Sequence, residues 1–137
     1  KAIESIEKQN YKNWEICIAD DCSPNQEVRE HLLSISNNKI KVKLLDKNQG
    51  ISGATNEAAS LASGDYILLM DNDDELAHSA LHEFYQKIKK DGSEILYSDM
   101  DIIDAKGRTV QAGLVSRFIL KPDVSWTSGR VQKISIR

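Results

Sequence analysis

The sequence predicts an α/β protein: helices flanking a largely parallel sheet. Segments with helical periodicity alternate with short strand-like runs along the chain. The run DYILLM, Asp65 to Met70, is apolar without alternation, as a strand covered on both faces requires. No internal repeat or low-complexity linker interrupts the pattern.

Taken in order, KAIESIEKQNYKNW places Ile3 and Ile6 at helical spacing with charges opposite, the tail of an amphipathic helix. EICIAD follows as a buried strand. In DDCSPNQEVREHLLSIS, Ser23 is the expected N-cap, Pro24 the first helical residue and Gln26 the capping-box partner, with Val28, Leu32, Leu33 and Ile35 facing a core. IKVKLL alternates apolar residues with lysines, a strand with one solvated face. DKNQGISG reads as a loop, and ATNEAASLAS as a helix of small residues ending at Gly64 as C-cap. After DYILLM comes HSALHEFYQKIKK, an amphipathic helix with Leu81, Phe84, Tyr85 and Ile88 inward. The strand EILYSD and a turn at DAKGR close the pattern.

The 137 residues suit one domain or part of one, and 40% hydrophobic content is ordinary for a globular protein. No apolar run approaches the roughly 20 residues of a membrane span, and no signal peptide opens the chain. A net charge of −3 with interspersed signs argues against nucleic acid as a partner. Cys17 and Cys22 lack metal-ligand spacing and suggest a reducing compartment. A cytoplasmic location is expected, and peripheral association of the full-length protein with the inner face of the membrane is compatible with it.

Three strands run into acids: Asp20 and Asp21, Asp71 to Asp74, and Asp99 and Asp101. In a parallel sheet these ends share the edge where ligands of open α/β sheets bind. Clustered carboxylates repel one another, and a hard divalent cation, Mg²⁺ or Mn²⁺, relieves the repulsion. Asp71 and Asp73 form the natural pair, since residues two apart in an extended segment point to one side. The same acids would also stabilise the N-terminus of the following helix with no metal involved. An EF-hand is the weaker alternative, since the glycine its loop requires is absent after Asp73. NQGISGATNEA offers Gly50 and Gly53 for close phosphate approach, but matches neither a Walker A nor a dinucleotide fingerprint and by itself is a turn. His31, His78 and His82 read as solvated helix residues.

In this order, YKNWEICIADDCSP, NQGISGATNEAASLASGDYILLMDNDDEL and EILYSDMDIID resemble the nucleotide-sugar half of family 2 glycosyltransferases, the inverting GT-A type. The resemblance covers about Lys1 to Asp123. It implies a GT-A, Rossmann-like sheet truncated at both ends, with residues 1–123 a partial nucleotide-sugar-binding domain and 124–137 an unassigned tail. It implies that Asp21 contacts the nucleotide base, that Asp71 and Asp73 hold Mg²⁺ or Mn²⁺ on the diphosphate with Asp73 favoured as direct ligand, and that Asn72 lies beside them. It further implies that Gly50, Ser52, Gly53 and Asn56 line the nucleotide and donor sugar, and that Asp99 and Asp101 match a YSDxD segment near the donor. The sequence departs from the family at Thr55, where many members carry Arg, and at Met100, a common Glu. The catalytic base is expected beyond this chain. The implied function is transfer of a sugar from a UDP- or dTDP-sugar to a glycan or lipid-linked acceptor in bacterial surface polysaccharide synthesis. The isolated segment is expected to be inactive. The alternatives are a non-catalytic nucleotide-sugar-binding module and a phosphohydrolase with Asp71 as nucleophile.

Overall fold

The computed structural model describes residues 1–120 and 132–136. The helices are α1 (Ala2–Glu7), α2 (Gln26–Ser34), α3 (Gly50–Ser60) and α4 (Ala80–Asp91). The strands are β1 (Trp14–Asp20), β2 (Ile40–Leu44), β3 (Tyr66–Met70), β4 (Ile95–Ile103), β5 (Thr109–Leu120) and β6 (Gln132–Ile136). All six strands form one sheet in the order β2-β1-β6-β3-β5-β4.

Strands β1 and β2 pair in parallel, whereas β6 is antiparallel to β1 and β3, and β5 is antiparallel to β3 and β4. Strands β1, β2, β3 and β4 therefore share one direction, as the alternation predicts. The sheet is nonetheless mixed, because β5 and β6 run against the others. Neither was read from the sequence. The turn after β4 explains β5: the Asp104 carboxylate accepts from the Lys106 and Arg108 N–H groups at 2.8 and 3.0 Å, and Gly107 supplies a positive φ of 76°. So tight a turn returns the chain only antiparallel. Strand β6 comes from the tail that the sequence left unassigned, and it lies between β1 and β3.

The core joins Ala2 and Ile6 of α1, Trp14, Ile16 and Ile18 of β1, Ile40 of β2, Leu68 and Met70 of β3, Leu81 of α4 and Leu96 of β4. In β1 even Cys17, between two core isoleucines, is fully buried, so both faces of this strand are covered. Helix α2 departs from expectation. Its N-cap is Asn25, whose side chain accepts from Glu27 N–H at 2.9 Å, and neither Ser23 nor Pro24 is helical. Leu32 and Ile35 pack on the core, but Val28 and Leu33 are exposed. Helix α3 begins at Gly50 rather than after Gly53, and ends at Ser60 with Leu61 as C-cap instead of Gly64. Helix α4 follows the reading: Leu81 is buried, Phe84 and Ile88 pack beside it, and Tyr85 lies 4.9 Å from Tyr11, ring centre to ring centre.

Candidate functional site at the carboxyl edge of the sheet

The register places the acids on one edge. Ile16 of β1 and Leu68 of β3 both pair with Ile134 of β6, so Ile18 is level with Met70 and the acids that follow the two strands leave the sheet at the same edge. Leu68 and Leu96 both pair with Ile119 of β5, which puts Met70, the last residue of β3, level with Ser98, one residue before Asp99. Adjacent strands lie about 4.8 Å apart, so β1 and β3 are separated by about 10 Å and β1 and β4 by about 19 Å. Cation–oxygen bonds of about 2 Å cannot span such gaps, so the three acidic groups cannot share one ion. Consistent with this, no cluster of three or more His, Cys, Asp or Glu side chains suited to a metal ion occurs among the described residues.

At the β1 end two adjacent acids have different surroundings. Asp20 is buried, and its Oδ2 accepts from Arg29 Nη1 at 3.0 Å and from Ser23 N–H at 3.2 Å. This closes a tight turn in which Cys22 takes a φ of 59°, uncommon for a residue with a side chain. Asp21 is half-buried and faces the start of α3: its Oδ1 accepts from Gln49 N–H at 2.6 Å, and its carbonyl accepts from Asn48 Nδ2 at 3.3 Å. Asn48 Oδ1 in turn accepts from Gly50 N–H at 3.0 Å. Asp21 is thus joined to the first turn of α3, which carries Gly50, Ser52 and Gly53, with Asn56 one turn further. Gly50 has a φ of 70°, and a Cβ on Gly53 would lie 2.5 Å from Gln49 Cβ. The positive φ lets the loop enter the helix directly, and the missing Cβ lets Gln49 fold back over it.

Beyond β3, Asp71, Asn72 and Asp73 are exposed in a turn closed by a 3.3 Å bond from Asp74 N–H to the Asp71 carbonyl. The expected convergence of Asp71 and Asp73 assumed an extended segment, and the turn removes that basis. Two hard carboxylates within three residues still match what a Mg²⁺ or Mn²⁺ site takes from protein when water and phosphate oxygens complete its shell. Glu75 pairs with Lys1 at 3.6 Å, and α4 starts only at Ala80, so Glu75 does not serve the helix N-terminus. Asp99 and Asp101 lie inside β4 rather than at its end, because the strand runs on to Ile103; both are exposed. A cleft of about 1070 Å³ opens between α4 and β4, lined by residues including Phe84, Lys87, Ile95 and Tyr97, and includes none of the acids of the edge.

Glu15, Lys41 and Ser63 form a polar group that sequence reasoning missed. Glu15 is buried in β1, with Lys41 Nζ at 2.7 Å and Ser63 N–H at 2.6 Å. Burial alone would raise its carboxyl, but Lys41 and the Ser63 amide and hydroxyl hold it down at about 2. The only signal in the sequence is an acid at the head of an otherwise apolar strand.

The sheet and its flanking helices form an α/β arrangement of the GT-A type. The family model described as glycosyl transferase family 2 matches residues 1–128, and the chain belongs to that family. A UDP-Glc:alpha-D-GlcNAc-diphosphoundecaprenol beta-1,3-glucosyltransferase, WfgD of Escherichia coli, is 32% identical over 75% of this chain and 40% of its own length. A GalNAc(5)-diNAcBac-PP-undecaprenol beta-1,3-glucosyltransferase of Campylobacter jejuni is 34% identical over 64% of this chain and 29% of its own. The chain thus spans less than half of these relatives, and 12% of a longer Sinorhizobium fredii protein to which it is 38% identical. Residues 1–349 of TarS from S. aureus superpose with a TM-score of 0.72 at 21% identity, over 88% of this chain and 42% of that one, a likeness of fold. No helix among the described residues is long and apolar enough to cross a membrane.

Proposed function

We propose that this chain is the donor-binding part of an inverting, metal-dependent glycosyltransferase. Its donor is a UDP- or dTDP-sugar and its acceptor a glycan or lipid-linked saccharide of bacterial surface polysaccharide. The relatives support this reading, since one is named for a UDP-sugar donor and both for diphosphoundecaprenol or PP-undecaprenol acceptors. The observation that carries it is the Asp21 carboxylate fastened to Gln49 N–H, about 10 Å along the same edge from the Asp71–Asp73 turn. A site that long suits an extended ligand with a base at one end and phosphates at the other.

Asp21 uses Oδ1 for Gln49 and retains acceptor capacity for the imide N–H of uracil or thymine. Gly50, Ser52, Gly53 and Asn56 on the first turns of α3 line the nucleotide and donor sugar beside Asp21. Asp71 and Asp73 would hold the cation, with Asn72 beside them, and Asp99 and Asp101 face the donor sugar. The cation, when bound, would offset the charge gathering on the leaving diphosphate as a Lewis acid. The group that deprotonates the acceptor hydroxyl is assigned to no residue of this chain.

Calorimetric titration of UDP and dTDP, with and without Mn²⁺, tests the proposal. One nucleotide should bind more tightly with Mn²⁺. Asp73→Ala should remove that gain and leave metal-free affinity unchanged, whereas Asp21→Ala should weaken binding about tenfold in both conditions. Absence of binding by either nucleotide in both conditions would sink the site assignment.

A further inference from the structure

The turn that carries Asp71 and Asp73 is fixed at its near end by β3, which is paired with β6 up to Met70. Its far end is fixed from the opposite end of the sequence. Gln9, just beyond α1, is completely buried. Its Nε2 donates to the Ser5 carbonyl at 3.1 Å and the Ala77 carbonyl at 2.7 Å, and its Oε1 accepts from Leu81 N–H at 3.1 Å. Both amide protons are thereby used. Leu81 N–H is one of the unpaired donors of the first turn of α4, and the N-cap residue Ser79 makes no side-chain capping bond. The cap is supplied instead from 72 residues away.

Further contacts run the same way. Leu76 N–H donates to Ser5 Oγ at 3.0 Å, Asn10 N–H donates to the His78 carbonyl at 3.3 Å, and Lys1 faces Glu75. An apolar residue at position 9 would also fill the space, but it would specify no register. A buried amide is costly to leave unpaired, so its three bonds select one placement of residues 76–81. Slippage of that segment by one residue would carry the turn by up to about 3.8 Å, further than a cation–oxygen bond can follow.

We infer that Gln9 is a positioning residue for the Asp71–Asp73 turn: its amide sets where the two carboxylates sit without touching the ligand. The inference rests on the reading of that turn as the cation and diphosphate site. Gln9→Met preserves length and removes all three bonds. In the intact variant, amide hydrogen exchange from Asp73 to His78 should accelerate about tenfold or more, while Ile16 and Ile18 in β1 keep their rates. The Mn²⁺-dependent gain in UDP affinity should fall about tenfold with metal-free affinity unchanged. Exchange that is unchanged in the segment, or raised equally in β1, overturns the clamp. A Mn²⁺-dependent gain that matches the wild type overturns the positioning role. Wild-type protein that shows no such gain overturns the cation-site reading, and the functional half of this inference with it, while exchange still decides the clamp. If Gln9→Met does not fold, Ser5→Ala removes the acceptor of Leu76 N–H and should move both readouts the same way with smaller amplitude.

Discussion

Glu15→Gln removes one negative charge from a buried contact and little else. The wild-type carboxylate meets Lys41 Nζ at 2.7 Å, Ser63 N–H at 2.6 Å and Ser63 Oγ at 3.0 Å, and the residue is 5% exposed. Held at about 2 instead of its usual 4.5, the carboxyl contributes at most roughly 3 kcal/mol to folding. Lys41 is partly exposed, and solvent screening brings the expected contribution to about 2 kcal/mol. The sign follows from the depressed value. The contribution is complete above pH 4.5, falls to less than about half near pH 3, and is gone below the folded-state value. Urea unfolding of wild type and variant at pH 7, 5 and 3 checks this, because the difference between the two proteins isolates residue 15 from other carboxylates. Expected is a gap of about 2 kcal/mol at pH 7 and 5 that shrinks by half or more at pH 3. A gap that stays constant over this range would refute the reasoning, since it would arise from shape and not from charge.

Two other substitutions probe the frame of the site. Arg29→Met leaves the Asp20 carboxylate buried with Ser23 N–H as its remaining partner among the contacts described, and should cost roughly 3 kcal/mol in urea unfolding. Adding Asp20→Asn should return part of that loss. Gly50→Ala meets no atom within 4 Å, so its cost is conformational, about 1–2 kcal/mol for a φ of 70°, and Gly50→Asn should cost less because Asn visits that region more readily. Thermal unfolding of the two variants in parallel gives the order.

The sequence made the acidic edge legible because acids that end apolar strands break a strong pattern. Strands β1, β2 and β3 and helix α4 lie nearly where their apolar patterns put them, whereas α1 stops at Glu7, halfway along the segment read as helical. Strand β5 was missed because TVQAGLVSRFIL has Gly113 near its centre and little alternation, and β6 because QKISI carries only two apolar residues. The capping difference at Ser23 has a local cause: the backbone N–H of Ser23 donates to Asp20 three residues back, and Cys22 turns the chain first, so the helix starts later. Buried polar residues were the least visible class. Gln9 looks in sequence like a solvated residue, and Glu15 and Asp20 are the polar ends of a buried strand; only their partners 68, 48 and 9 positions away show why they are inside.

Those partners explain how the edge keeps its geometry. Strand β1 holds helix α3 at both ends with a carboxylate. Glu15, at the start of the strand, takes Ser63 N–H just beyond the end of α3, and Asp21, just past the strand's end, takes Gln49 N–H at the helix N-cap. The six steps of extended chain from Glu15 to Asp21 span about 20 Å. The twelve helical steps from cap to cap, Gln49 to Leu61, span about 18 Å, and the two residues on to Ser63 supply the remainder. The lengths match to within a residue, so neither contact need strain the other. The Asp21 contact at the proposed base-binding end and the Glu15 latch at the opposite end therefore fix one rigid rod between them. Lengthening α3 by a full turn, about 5.4 Å, would break that match and require one of the two carboxylates to release its amide.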